Sequence, residues 1–97
     1  MTDDPATLLD TAAPSWRADI DALAFRPDDH SGVCMVHRHA FRTLMRRMPG
    51  TEDCLAFYRD HVKTFQAAAA AKLQRIAMAG DTNFHLTSRD LARQMAK

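Results

Sequence analysis

The sequence predicts an α+β fold, in which a short antiparallel sheet of two or three strands packs on one long helix and one or two shorter helices. Three observations support it: a short apolar run at residues 33–36, apolar–polar alternation at residues 84–86, and apolar residues three or four apart between residues 52 and 79. With 97 residues, the chain fits one domain. An all-α fold is the alternative if residues 16–25 and 33–37 are helical.

The strands are expected near residues 20–26, 33–37 and 83–87. Val33 and Val36 open and close the central apolar run, and their β-branched side chains favour extended backbone. A turn-forming cluster of Asp, Ser and Gly precedes this run, as is typical of a strand boundary.

Residues 16–25 are the least determined stretch. Trp16, Ile20 and Leu23 fit helical spacing with Ser15 as the N-cap, whereas Leu23 and Phe25 fit a short strand. Both interpretations stay open at this point.

Two helices are expected near residues 38–48 and 52–79. Pro49 and Gly50 end the first, and its apolar stripe consists of Phe41, Leu44, Met45 and Met48. Thr51 is predicted to cap the second, which Gly80 would end. The stripe of the second helix consists of Leu55, Tyr58, Val62, Phe65, Ala69, Leu73 and Ile76. A last short helix follows Ser88, with Leu91 and Met95 on one face.

The long helix carries five consecutive alanines at residues 67–71. Alanine allows another backbone to approach closely, so the run fits either tight packing within the chain or a seam between two copies. A helix of this length spans roughly 42 Å at 1.5 Å per residue, more than one small domain needs. We therefore expect a homodimer through residues 67–73, from Ala67 to Leu73.

Charge divides the chain unevenly. Residues 1–30 hold seven acids and two arginines, whereas residues 31–97 hold eleven Lys or Arg and five acids. The net charge is therefore −5 in the first part and +6 in the second. This split predicts a flexible acidic arm at residues 1–15 and a single globular domain at residues 16–97.

Composition limits the compartment and the cofactors. The N-terminus is acidic and lacks the apolar region of a signal peptide, and no apolar run reaches the length of a membrane span, so a cytoplasmic protein is expected. Cys34 and Cys54 should then be free, buried thiols. The three glycines, Gly32, Gly50 and Gly80, each mark a turn, so no phosphate-binding loop and no cofactor are predicted.

Three segments suggest a family. They are Val36-His37-Arg38-His39-Ala40-Phe41, residues 57–73 with their aromatic, polar and alanine-rich steps, and the run Phe84-His85-Leu86-Thr87-Ser88-Arg89-Asp90-Leu91. Residues 32–92 thereby resemble a small bacterial family known as the domain of unknown function numbered fourteen eighty-eight. His37 and His39 depart from it, since Ser and Glu are usual there. The resemblance implies a small α+β fold with a short antiparallel sheet, and it implies no activity.

The candidate binding residues are basic. Arg38, Arg42 and Arg46 are spaced by four and share one helix face, which Arg47 flanks, and Arg59 with Lys63 forms a similar pair on the next helix. Guanidinium groups bind carboxylate and phosphate with two hydrogen bonds. The six residues therefore fit a solvated face, an acidic protein partner, or phosphate and nucleic acid, of which nucleic acid is not favoured because no known motif accompanies them.

Histidines form the second candidate. His30, Cys34, His37 and His39 fall within ten residues, and His85 is expected on a neighbouring strand. Imidazole suits zinc, so His37 and His39 are the candidates for a metal alternative, although no metal site is predicted outright. A Cys34–His85 pair is conceivable for nucleophilic chemistry, but no catalytic signature surrounds it.

These patterns favour a non-catalytic interaction or regulatory domain that forms a homodimer and binds an acidic partner. The alternatives are nucleic-acid or phosphate binding through residues 38–48 and a small metal-binding protein that uses His37 and His39. The sequence predicts neither an enzyme nor a membrane protein.

Overall fold

The computed structural model describes residues 13–76 and 82–96. It confirms the α+β fold. The elements in chain order are β1 (Ser15–Arg17), β2 (Ala22–Phe25), β3 (Cys34–His37), α1 (Arg38–Met45), α2 (Thr51–Asp60), α3 (Val62–Ile76), β4 (Phe84–Leu86) and α4 (Ser88–Met95).

The sheet has the strand order β1-β2-β3-β4. The first two pairings are antiparallel, but β3 and β4 run parallel, with Cys34 opposite Phe84 and Val36 opposite Leu86. The expectation of two or three antiparallel strands was therefore wrong in number and in one direction. The reason is the connection between them: three helices lie between β3 and β4, which gives the chain enough length to return to the same end of the sheet.

Residues 15–25 form a hairpin, so the helical interpretation of residues 16–25 is wrong. The turn is tight: the Ile20 N–H donates to the Arg17 carbonyl at 3.2 Å, and Asp21 adopts φ 54°. Aspartate tolerates this left-handed region better than most residues, which allows the chain to reverse here. Ser15, the last residue of the predicted acidic arm, is the first residue of β1; residues 1–12 of that arm lie outside the described residues.

The two faces of the sheet are unequal. The helix-covered face holds the main core, to which the strands contribute Trp16, Leu23, Phe25, Cys34, Val36, Phe84 and Leu86. Because strand side chains alternate, the opposite face carries the small second cluster of Ala22, Ala24 and Met35, and also His37 and His85.

The main core is aromatic where the helices cross the sheet. Phe25 lies 5.1 Å from Tyr58 and 6.0 Å from Phe65 between ring centroids, and Phe41 stacks on Phe65 at 5.9 Å. These contacts join β2, α1, α2 and α3 around one ring, Phe65, whose exposed fraction is zero. Tilted and edge-to-face pairs of this kind add to the stabilisation from burial alone.

Helix α1 ends earlier than predicted. Arg46 turns into the left-handed region at φ 60°, and its N–H donates to the Arg42 carbonyl at 2.8 Å, so the helix stops at Met45 and not at residue 48. Met48 therefore leaves the predicted apolar stripe and is 60% exposed.

The predicted long helix is two helices, α2 and α3, that break at His61. The His61 ring nitrogen Nδ1 lies 2.9 Å from the Phe57 carbonyl oxygen, the usual partner of the His61 N–H, and that N–H donates to Tyr58 instead. Beyond the break, Phe65 and Ala69 of the predicted apolar stripe are buried, whereas Val62 and Ile76 are 39% and 47% exposed. Gly80, the predicted C-cap, lies outside the described residues.

Two predicted N-caps are shifted by one residue. Gly50, not Thr51, precedes α2, and the Asp53 carboxylate accepts its N–H at 2.9 Å. Thr87, not Ser88, caps α4, because its hydroxyl accepts the Asp90 N–H while the Asp90 carboxylate accepts the Thr87 N–H.

The alanine run packs partly inside the chain. Ala68 and Ala69 are 2% and 0% exposed in the main core, whereas Ala67 and Ala70 face outward.

Of the helices in residues 13–76 and 82–96, none combines the length and apolarity that a membrane span requires.

Candidate functional site

Arg38 is a structural residue. Its guanidinium holds both carboxylate oxygens of Asp21 at 2.8 to 3.1 Å, donates to the Pro49 carbonyl at 2.8 Å, and lies 4.7 Å from the centre of the Trp16 ring. Its side chain is only 21% exposed. Arg38 therefore does not share a free surface with Arg42 and Arg46, although the sequence placed the three on one helix face.

The remaining arginines of this region line one shallow concavity of about 500 Å³ at the end of α1. We call it the arginine surface; its residues are Arg42, Thr43, Arg46, Arg47 and Met48. The side chains of Arg42 and Arg46 have no hydrogen bond or ion pair within residues 13–76 and 82–96. They lie one helical turn apart, so both can reach the same ligand.

Arg47 occupies the edge of this surface. It contacts Asp53 at 3.2 Å, with side chains that are 57% and 44% exposed. The pKa of Asp53 is lowered, first by the Gly50 N–H and then by Arg47. Exposed pairs of this kind contribute little to stability, so Arg47 can exchange Asp53 for another carboxylate at small cost.

Arg59 and Lys63 are not part of the arginine surface. Arg59 lies in the last turn of α2 and Lys63 in the first turn of α3, and both are exposed. The structure therefore separates the six predicted residues into one structural residue, one surface of three, and one outlying pair.

A second concavity lies at the ends of the parallel strands. It is about 280 Å³ in volume, and we call it the histidine cleft; its residues are His37, His39, Ala40, Thr43, His85, Leu86, Thr87 and Ser88. β3 passes directly into α1 and β4 directly into α4, so both helices begin at this edge of the sheet. Thr43 lines both concavities, which are therefore neighbours along α1.

Two histidines of the cleft stack. The His37 and His85 rings lie 4.8 Å apart with an angle of 14° between their planes. Burial lowers the pKa of His85, and the nearby charges of His37 and Lys72 lower it further. Like-charged rings at this distance repel, so the pair resists double protonation.

His39 faces the same cleft but is exposed. Asp21 is an acidic residue whose charge interacts with His39 and His37. The pKa of Asp21 is lowered chiefly by its hydrogen bonds with Arg38 and to a smaller extent by these two histidines. Since Arg38 already binds both oxygens of Asp21, the carboxylate is not free to pair with the histidines.

His37 and His39, the pair proposed for a metal alternative, both line the histidine cleft. His37 also stacks on His85, and a metal bound by an imidazole lies in the plane of its ring, so the two nearly parallel rings of His37 and His85 are poorly arranged to share one ion. Within the described part of the chain, no group of three or more His, Cys, Asp or Glu is arranged to hold a metal.

The two thiols are buried, as predicted. Burial raises the pKa of Cys34 far above its usual value, and that of Cys54 less strongly. Cys34 faces the main core while His85 lies on the opposite face of the sheet, so the conceivable Cys34–His85 pair does not form.

Asp90 lies in the first turn of α4 and holds Thr87, one of the cleft residues, in position. Its carboxylate accepts hydrogen bonds from Lys72 at 3.1 Å, Arg75 at 3.2 Å and the Thr87 N–H at 2.9 Å. Burial pushes the pKa of Asp90 up, but the Thr87 and Lys72 contacts outweigh it and bring the pKa to about 2. Lys72 also donates to the His85 carbonyl at 2.6 Å, which ties β4 to α3.

Sequence reasoning named the arginines and the histidines but could not group them. Arg38 separates from Arg42 because Asp21, seventeen residues earlier, meets it through the hairpin. Ser88 was predicted only as a helix cap and Thr87 had no predicted role; the signal missed was that both strand ends lead into a helix start on the same edge of the sheet.

Comparisons of the chain with protein-family models, with curated proteins and with solved structures found no match. The resemblance to the domain of unknown function numbered fourteen eighty-eight therefore stays a prediction.

Proposed function

We propose that the chain is a non-catalytic interaction domain that binds an acidic protein segment through the arginine surface. The observation that carries the proposal is the pair Arg42 and Arg46, two exposed guanidinium groups without a described partner in one concavity. Such groups bind carboxylates with two hydrogen bonds, a geometry that lysine does not offer.

Met48 gives this surface an apolar component. It is 60% exposed beside the two arginines, and an unbranched thioether adapts to differently shaped apolar neighbours. An arginine and methionine surface is typical of protein interfaces, where both residue types are enriched. The partner segment should therefore combine acidic residues with an aliphatic side chain.

The test compares two double variants. R42Q/R46Q removes the charges of the arginine surface, and R89Q/R93Q removes two exposed arginines of α4 as the matched control. The probe is a fluorescent peptide in which each leucine is flanked by glutamates, and binding is followed by anisotropy. We expect R42Q/R46Q to weaken binding by about two- to thirtyfold, since each of the two exposed charge pairs contributes roughly 0.2–1 kcal/mol, and R89Q/R93Q to leave it unchanged.

Equal weakening by both variants would show a general charge effect and contradict the proposal. The same variants are measured with a single-stranded oligonucleotide across a range of salt concentrations. Tighter binding of the oligonucleotide than of the peptide, falling steeply with salt, would replace this proposal with the nucleic-acid alternative.

A homodimer in the cytoplasm completes the proposal. The support for the dimer comes from Ala67 and Ala70, the outward-facing alanines of the run, because Ala68 and Ala69 are buried in the main core of the same chain. Light scattering after size exclusion measures the mass directly. A mass of one chain at every concentration tested would contradict the dimer and leave the arginine surface unaffected.

A further inference from the structure

We infer that the histidine cleft is a second binding site and that it takes a phosphate-type oxyanion. Three imidazoles from two distant segments converge there: His37 and His39 at the start of α1, and His85 on β4. The site differs from the arginine surface in its residues, apart from Thr43, and does not depend on the function proposed above.

The polar groups of the cleft suit an anion. His37, His39 and His85 supply ring N–H donors, and Ser88 supplies a hydroxyl. Thr43 donates its hydroxyl to the His39 carbonyl at 3.1 Å, so it contributes shape more than a donor. Among the described residues, no carboxylate lines the cleft, and Asp21, whose charge reaches His37 and His39, is already bound by Arg38.

The stacked pair explains why the ligand is an anion and not a metal ion. Parallel rings 4.8 Å apart direct their nitrogens alongside each other, not toward a common point in both planes. An oxyanion with several oxygens can accept from both ring edges at once. It would also offset the repulsion that two protonated rings exert on each other.

The N-terminus of α1 also favours an anion in the cleft. No side chain caps the N-terminus of α1, and its first turn contains no acidic residue. The partial positive charge of that helix end lies beside the cleft, next to the three imidazoles, and the nearby Asp21 carboxylate is already bound by Arg38. α4 differs, since Thr87 and Asp90 already satisfy its first turn.

The size of the cleft fits a phosphate group. About 280 Å³ is below the range of roughly 300–1,000 Å³ that holds a drug-sized ligand. Phosphate reaches such a site in two ways, as the free ion or as an ester on a larger molecule. The shared chemistry is the tetrahedral oxyanion, and the two sources are separated by experiment.

The test is an NMR titration of the full chain with inorganic phosphate, with phosphoserine in an otherwise neutral peptide, and with sodium chloride at matched ionic strength. Phosphate should give saturable shifts at the His37 and His85 rings and at the Ser88 amide. It should also raise the pKa of His85, because a bound anion favours the protonated ring. Tighter binding of the peptide identifies an ester as the source, and tighter binding of the free ion identifies a small anion.

Three variants make the result specific. H37Q/H85Q should weaken phosphate binding at least tenfold, and H39Q, an exposed position, should weaken it less while leaving the fold unchanged. If H37Q/H85Q loses its native spectrum, H39Q alone decides, and unchanged affinity in H39Q then contradicts the site. R93Q, at an exposed position of α4 outside both concavities, should bind phosphate as the parent chain does. Shifts that sodium chloride reproduces, or that map to Arg42 and Arg46 alone, overturn the inference.

Discussion

At the scale of single residues, Arg38 shows how little a charge pattern reveals about a role. Its guanidinium contacts four groups, which come from the hairpin turn, from β1, from the segment between α1 and α2, and from the first residue of α2. A residue with partners in four segments stabilises their arrangement. Arg42, on the same helix, and Arg46, just after its end, have no such partners among the described residues and stay available for binding.

We therefore expect R38Q to lower the Tm by about 5 °C, since two or three contacts of this kind are lost together. R42Q removes a charge from the same helix without removing a described contact, and it should leave the Tm within about 1 °C of the parent. Thermal unfolding followed by circular dichroism measures both. A drop in R42Q as large as in R38Q would show that Arg42 also has a structural role.

At the scale of elements, the sequence predicted which strands and helices are present better than it predicted where each one begins and ends. The alternation of Phe84-His85-Leu86 and the apolar run at residues 33–36 correctly indicated strands. Burial on one face produces the alternation in β4, and burial on both faces produces the continuous apolar run in β3. The break at His61 was missed, since residues on both sides keep helical propensity. The helix breaks where the His61 ring contacts the Phe57 carbonyl, and the spacing of apolar residues gives no sign of such a local contact.

Gln66 is the element-scale contact most open to test. Its side chain accepts the Asp28 N–H at 2.8 Å and donates to the Arg26 carbonyl at 3.1 Å, so it binds the loop after β2 to α3. We expect Q66A to lower the free energy of unfolding by about 1 kcal/mol, the usual net value for such bonds. Q74A, on an exposed position of the same helix, is the control and should cost only a few tenths of a kcal/mol. Urea unfolding measures the difference, and equal effects would mean that the loop contact adds no stability.

At the scale of the whole molecule, the direction of β4 could not be predicted. A strand of three residues pairs equally well either way in its side-chain pattern, and only the packing of the intervening helices decides. The same long-range pairing creates the histidine cleft, because it places residue 85 beside residue 37. The candidate site thus follows from topology, whereas its residue types could be identified from the sequence.

The acidic part and the basic part of the chain also meet at this scale. Asp21 belongs to the acidic first part and Arg38 to the basic second part, and their pairing joins the hairpin to α1. The contact pairs an acid of the first part with a base of the second part within one chain. Arg42 and Arg46 have no such pairing among the described residues, which is why an acidic partner is proposed for them and not for Arg38.

Asp90 joins α4 to α3 through its ion pairs with Lys72 and Arg75, and the stability that it contributes to the fold depends on pH. Its pKa is about 2 in the folded chain, below the ordinary aspartate value of 3.8, so the folded state favours the ionised form. A depressed carboxyl pKa stabilises the fold fully above the unfolded value and loses this contribution as pH falls from about 4 through 2. At 1.36 kcal/mol per unit, the contribution at neutral pH is about 2 kcal/mol.

We expect D90N to lower the free energy of unfolding at pH 7 by about 2 kcal/mol or more, because Lys72 and Arg75 also lose their partner. The difference between the parent chain and D90N should shrink as pH falls below 4, since the parent then protonates Asp90 on unfolding. Urea unfolding at pH 7, 5, 4 and 3 gives the curve, and D60N, at an exposed aspartate, is the control. A difference that stays constant down to pH 3 would show that the ionised carboxylate is not what Asp90 contributes.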